Sequence, residues 1–148
     1  MGQFAIAAAV LICALIVGAV LRRRRSVDAP TQPVFSAPAQ VDRTDFAEAD
    51  APWLVAVFSS ASCAACADVL AKAKVLDCTE VDVVDVEYPA QQAMHRKYHI
   101  DAVPIVIVAD SRGVVRASFV GPLSATDLWA AVAEARHPGS SPEPDLGR

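Results

Sequence analysis

Cys63 and Cys66 flank Ala64-Ala65, shortly after the apolar run Trp53-Leu54-Val55-Ala56-Val57-Phe58 and at the opening of an alanine-rich stretch with helical character. A strand feeding a turn whose two thiols lie on the first turn of a helix is a redox arrangement. The helix N-terminus presents unpaired N–H groups and a partial positive charge, so a thiolate on Cys63 is favoured there and its pKa is expected below that of a free cysteine. With two intervening residues the second thiol can reach the first and close a small disulfide ring. Cys63 is then the exposed attacker, and Cys66, turned inward by the helix, the resolving thiol.

A lone CxxC is also half of a zinc site, and buried cysteines can be inert. Tetrahedral zinc needs two further ligands, and the chain has no second CxxC or CxxH. Cys78, His95 and His99 are the spare candidates. Cys78 reads as a small residue closing a helix, and His95 and His99, four apart on a predicted helix, as a solvated face. No metal is therefore expected, and the strand-then-helix context favours redox chemistry over the inert reading.

The elements that must position the thiols follow from periodicity. A short first strand is expected over residues 34–41, a brief helix near Phe46, a strand over 53–59 and a helix over 64–76. Residues 81–86 alternate apolar with acidic, as in a strand with one face partly wet, and Pro89 suits the first turn of a helix running to Tyr98. Asp110-Ser111-Arg112-Gly113 reads as a turn and residues 114–120 as a strand. Gly121-Pro122-Leu123 leads to a last helix with Ser124 as N-cap, Asp127 as its capping-box partner and Leu128, Val132 and Ala135 facing the sheet. The expected class is α/β, a central mixed sheet with helices on both faces.

Lys97-Tyr98-His99-Ile100-Asp101-Ala102-Val103-Pro104, followed by Ile105-Val106-Ile107-Val108, looks like the cis-proline segment of thioredoxins. With the CxxC upstream and the same order of elements, the chain from near Val41 to near Arg136 resembles a thioredoxin-like domain. The resemblance implies a thioredoxin-like fold and a thiol–disulfide oxidoreductase, with Cys63 as nucleophile and Cys66 as resolver. It also implies that the N–H and C=O of Val103 pair with an extended substrate peptide beside Pro104. Independently of family, a proline inside a β-branched run would remove a ladder hydrogen bond, so Pro104 should stand at the start of its strand. An X–Pro bond reaches the cis form at only about 0.5–1 kcal/mol. An ordinary trans proline is the competing reading, and the CxxC upstream favours cis.

The chain departs from the family pattern at three places. A buried aspartate usually lies six residues ahead of the first cysteine, and here that position is Val57. The tryptophan that usually precedes the first cysteine is Ser62, and the Gly-Pro pair between the cysteines is Ala64-Ala65. The thiolate is then favoured mainly by the helix dipole.

Residues 4–21 are uncharged and nearly all apolar. At 1.5 Å per residue they span about 27 Å, close to the hydrocarbon thickness of a bilayer, and so predict a single transmembrane helix. A cleaved signal peptide would need a basic stretch before the apolar run; Met1-Gly2-Gln3 precedes it and Arg22-Arg23-Arg24-Arg25 follows, which favours a signal anchor. Positive residues tend to stay on the cytoplasmic side, so the soluble domain is expected to face the cytoplasm, the extracytoplasmic side being the alternative.

The expected organisation is an anchor with its basic flank over residues 1–25, a Pro-rich linker over 26–40, the thioredoxin-like domain over 41–136 and a disordered tail over 137–148. The formal net charge is −4 even with the arginine run included. Asp77, Glu80, Asp82, Asp85, Glu87 and Asp101 gather around the middle strand as a solvated acidic face, and nucleic acid is not an expected partner. Expected partners are disulfide-containing protein substrates, a dithiol electron donor and the membrane; no cofactor is required. The alternative from another class is a tethered thioredoxin-fold binding or assembly module without turnover.

Overall fold

The run Trp53-Leu54-Val55-Ala56-Val57-Phe58 has no polar face, which suits a strand covered on both sides. It forms β1, Trp53–Ser60, in the interior of a four-stranded sheet. The computed structural model describes residues 36–46, 49–142, 145 and 147, all within the unit Phe35–Arg148. After β1 come α1 (Ala64–Lys74), β2 (Val81–Tyr88), α2 (Gln92–Lys97), β3 (Ile105–Ala109), β4 (Val115–Val120) and α3 (Ala125–Arg136), and a 3₁₀ turn, Arg43–Phe46, precedes β1.

The strand order is β2-β1-β3-β4. β1 runs parallel to β2, with Trp53 opposite Val81 and Val57 opposite Asp85, and antiparallel to β3, with Phe58 opposite Ile105. β3 and β4 are also antiparallel, so the sheet is mixed. Alternation along the strands divides the core in two. Leu54, Ala56 and Phe58 meet Ile105, Ile107, Phe46 and Tyr98 on one face. Val55, Val57, Val106 and Val108 meet Val69 and Ala73 of α1 and Leu128 and Val132 of α3 on the other. Both faces of the sheet are therefore covered by helices, as the periodicity predicts. Truncating Phe58, which is fully buried, would cost about 3–5 kcal/mol.

Several elements differ from expectation for identifiable reasons. The strand expected over 34–41 is, among the described residues, a single bridge between Gln40 and Val114. Pro89 stands in the connection before α2, after a cis Tyr88–Pro89 bond. There the Gln91 N–H donates to the Glu87 carbonyl at 2.7 Å and the Glu87 N–H to the Gln91 side chain at 2.9 Å, closing a turn ahead of the helix. Ser124 caps α3 as expected, its Oγ accepting the Asp127 N–H at 3.1 Å. Beyond α3, the buried Glu134 carboxylate collects the N–H groups of Gly139 and Ser141. Residues 137–141, expected to be without structure, thus turn back onto the helix.

The expected transmembrane segment, its arginine flank and most of the linker lie outside the described residues. Among the described residues no helix is long and apolar enough to cross a membrane.

Candidate functional site: a dithiol at a helix N-terminus

β1 ends at Ser60, and after Ala61, Ser62 and Cys63 the chain enters α1. The Cys63 N–H donates to the Ser60 carbonyl at 3.0 Å, turning the chain so that Cys63 becomes the N-cap of α1 in extended conformation. An N-cap side chain serves the orphan N–H groups of the first helical turn, a task usually given to Ser, Thr, Asp or Asn. Here sulfur performs it: Cys63 Sγ accepts the Cys66 N–H at 3.1 Å. The first turn of α1 carries no acidic residue, so nothing there opposes the positive end of the helix dipole.

Cys66 lies one turn along and faces the sheet, only 2% exposed, whereas Cys63 is half-buried. The two are joined by a disulfide with their Cα atoms 5.3 Å apart. Cys66 turns inward as expected, whereas Cys63, expected to be exposed, is half-buried because its sulfur is joined to Cys66 and caps the helix.

Val103–Pro104 is a cis bond, and Pro104 immediately precedes β3. Because Ile105 pairs with Phe58 in antiparallel register, the start of β3 lies at the same end of the sheet as the exit of β1 toward Cys63. Pro104 is buried and Val103 half-buried, and the Pro104 carbonyl accepts the Gly121 N–H at 2.8 Å. The two motifs thus share one sheet end, although Val103 and Pro104 do not line the cleft beside the cysteines.

That cleft has a volume of about 280 Å³ and is bounded by Ser59, Cys63, Cys66, Leu70, Asp85 and Glu87 among others. Val57, at the position where the family carries a carboxylate, is fully buried among apolar side chains. Its register partner on β2 is Asp85, and Asp85 Oδ1 accepts the Ser59 hydroxyl at 2.5 Å. Asp85 and Glu87 therefore face α1 rather than forming a wholly solvated face with the other acids. Sequence reasoning missed Ser59, Asp85 and Glu87 as site residues. The signal was the two-residue period of β2, which sets Val81, Val83, Asp85 and Glu87 on one face.

The remaining candidates lie elsewhere. His95 is buried, 5% exposed, with Nε2 donating to the Val86 carbonyl at 2.8 Å and its ring edge-on to Phe58 at 5.4 Å. It is a core residue, not part of a solvated face, because α2 packs that side against β2. His99 is exposed at a left-handed φ of 53° after the helix. Cys78 is a free, exposed thiol; it follows the end of α1 and exchanges backbone hydrogen bonds with Val81 at 2.9 and 3.1 Å. Among the described residues no three metal-ligating side chains come together.

A parallel-and-antiparallel sheet with helices on both faces and a dithiol capping the helix after its inner strand defines the class of domain. No protein-family model and no curated protein matches the chain. Solved structures do. A mutant thioredoxin from Halobacterium salinarum superposes with a TM-score of 0.54 at 18% identity, over 72% of this chain and 95% of that one. A thioredoxin-fold protein from Helicobacter pylori gives 0.53 at 13% identity, over 76% and 84% of the two chains. Oxidised mitochondrial thioredoxin 3 from Saccharomyces cerevisiae gives 0.50 at 17%, over 62% and 88%. The domain has the thioredoxin-like fold, and its Cys63–Cys66 pair is consistent with thiol–disulfide redox activity.

Proposed function

We propose that the chain is a membrane-anchored thiol–disulfide oxidoreductase acting on protein disulfides. The observation that carries this reading is the Cys63 sulfur in the N-cap position, bonded to the Cys66 N–H at 3.1 Å, with Cys66 buried one turn behind it. The N–H and the dipole favour sulfur as an anion, and a thiolate is the attacking species in disulfide exchange.

In the reducing direction the Cys63 thiolate attacks one sulfur of a substrate disulfide and expels the other as a thiolate, leaving a mixed disulfide. Cys66, having lost its proton, attacks Cys63 Sγ and releases the second substrate sulfur. Two electrons pass to the substrate, the Cys63–Cys66 disulfide forms, and a dithiol donor reduces it again. Val103 beside Pro104 would hold the substrate backbone at the same sheet end. The apolar run over residues 4–21 would tether the domain, and the arginines after it favour a cytoplasmic orientation, in which the pair acts as a reductant.

The test is reduction of insulin disulfides by the full chain with dithiothreitol as donor. Cys63→Ser should abolish it, and pre-reduced Cys66→Ser, freed of dithiothreitol before it meets insulin, should accumulate a mixed disulfide that is visible on a non-reducing gel. If the Cys63→Ser/Cys66→Ser double variant supports full biological function, the oxidoreductase reading fails and a binding module replaces it.

A further inference from the structure

The second half of that reaction needs a proton acceptor, because Cys66 must become a thiolate inside the protein before it can attack. Unlike Cys63, its sulfur is not served by the capping N–H: the Cys66 N–H is spent on Cys63 Sγ. Burial disfavours the charged form of a thiol, so near neutral pH, where hydroxide is scarce, a proton acceptor within the site speeds the attack.

The titratable side chains lining the cleft are Cys63, Cys66, Asp85 and Glu87. On α1 the remaining charges look elsewhere. Asp68 pairs with Lys72 at 2.5 Å, Lys72 also reaches the Leu123 carbonyl at 2.9 Å, and Lys74 lies in the last turn. β1 contributes Val57 and Ser59 on this face, and neither is charged. Of the two carboxylates, Asp85 is the one tied into the buried wall. Its Oδ1 holds the hydroxyl of Ser59, which is itself 4% exposed and lines the same cleft as Cys66.

From this geometry we infer that Asp85, acting through the Ser59 hydroxyl or a water in the cleft, accepts the Cys66 proton during resolution of the mixed disulfide. The S–H bond of Cys66 breaks and its proton passes to the Asp85 carboxylate. The freed electron pair forms the bond to Cys63 Sγ, while the bond from Cys63 to the substrate sulfur breaks and the substrate leaves as a thiolate. The carboxylate missing at Val57 is thereby supplied from its register partner on the adjacent strand. Asp85 is a proton acceptor for the resolving step alone and is not required for the first attack. The inference rests on the oxidoreductase reading.

The experiment follows the two releases of thionitrobenzoate when the reduced full chain, carrying Cys13→Ser and Cys78→Ser, reacts with dithiobis(nitrobenzoate) in stopped flow. Attack by Cys63 releases the first equivalent and resolution by Cys66 the second. Asp85→Asn keeps an oxygen for the Ser59 hydroxyl and removes only the proton acceptor. It should retain the first release and slow the second about a hundredfold at neutral pH, the low end of what a positioned acid–base group contributes. The gap should close as pH rises and hydroxide takes over. Ser59→Ala should slow the same step without affecting the first.

A second release in Asp85→Asn that equals that of the unsubstituted chain across pH would overturn the inference and leave the proposed function standing. A slowing that is uniform across pH would assign Asp85 a structural role and overturn it equally. Absence of the first release from the otherwise unsubstituted chain would remove the oxidoreductase reading, and the inference with it.

Discussion

Cys63 and Cys78 stand at opposite ends of the sheet. Cys63 follows the last residue of β1 and Cys78 precedes the first residue of β2, and the two strands pair in parallel over eight residues, a length of about 23 Å. Both thiols are reachable from solvent to some degree, but only Cys63 caps a helix. The structure therefore separates a sulfur placed at a helix N-terminus from one that is merely accessible.

In the reduced protein, iodoacetamide at mildly acidic pH should label Cys63 first, Cys78 later and the buried Cys66 last, with mass spectrometry of timed digests giving the order. The oxidised protein should contain the Cys63–Cys66 bridge and no intramolecular disulfide to Cys78, since a disulfide needs Cα atoms within roughly 7 Å. A Cys78 bridge to either partner would mean a rearrangement far larger than a side-chain rotation.

Gly113 sets a second expectation, at the end of the sheet remote from the dithiol. Its φ is +77°, and a Cβ there would lie 1.9 Å from the Val41 carbonyl oxygen. That oxygen belongs to backbone held by the Val41 N–H bond to the Gly113 carbonyl at 2.8 Å, so it cannot simply swing aside. Left-handed backbone alone costs a non-glycine residue about 1–2 kcal/mol. With the clash added, Gly113→Ala should destabilise the domain by about 2–4 kcal/mol in urea titration. The folded fraction should keep its disulfide-exchange rate, because the turn and the dithiol lie at opposite ends of the sheet.

Much of this was legible in the chain itself, and the exceptions share a cause. The unbroken apolar run of β1, the serine before α3 and the CxxC at a strand-to-helix turn are local signals, and each appears where expected. Asp85, His95 and Glu134 were not legible, because a polar residue on an element of mixed pattern can face water or a partner. Only pairing settles which: Asp85 meets Ser59 across β1 and β2, His95 meets the Val86 carbonyl, and Glu134 meets the N–H groups that follow its own helix. The boundary at Pro89 was missed for a related reason. A proline marks where a helix is permitted to start, but the Glu87–Gln91 hydrogen bonds decide where it does.

Asp110 gives the domain an acid-sensitive component. Burial by itself would raise its carboxyl pKa, but hydrogen bonds from the Arg116 guanidinium and from the Val114 and Arg112 N–H groups outweigh burial and hold it below the ordinary value. The unfolded chain therefore takes up this proton first as pH falls. The stabilisation is complete above the unfolded value of about 3.9 and disappears as pH drops through the lower folded value. Asp110→Asn should be less stable than the parent at neutral pH, and the difference should shrink below about pH 4. Urea midpoints measured across that interval supply the comparison; a constant difference would assign the loss to packing instead of charge.

In the proposed function membrane orientation would decide which way electrons flow, and the proposed cytoplasmic placement rests on a charge asymmetry that can be moved without touching the domain. Arg22, Arg23, Arg24 and Arg25 follow the apolar run, whereas the residues before it carry no basic side chain. A reporter fused after Arg148 should therefore behave as cytoplasmic. Replacing the four arginines with neutral residues and introducing Gly2→Lys and Gln3→Lys should invert the reporter, because the positive flank then lies on the other side of the segment. Protease added to intact cells should leave the unaltered linker over residues 26–40 uncut and should cleave it in the inverted variant. Cleavage in the unaltered protein would place the dithiol outside, where a less reducing environment keeps disulfides. The pair would then serve to maintain or rearrange disulfides there instead of reducing them from the cytoplasm.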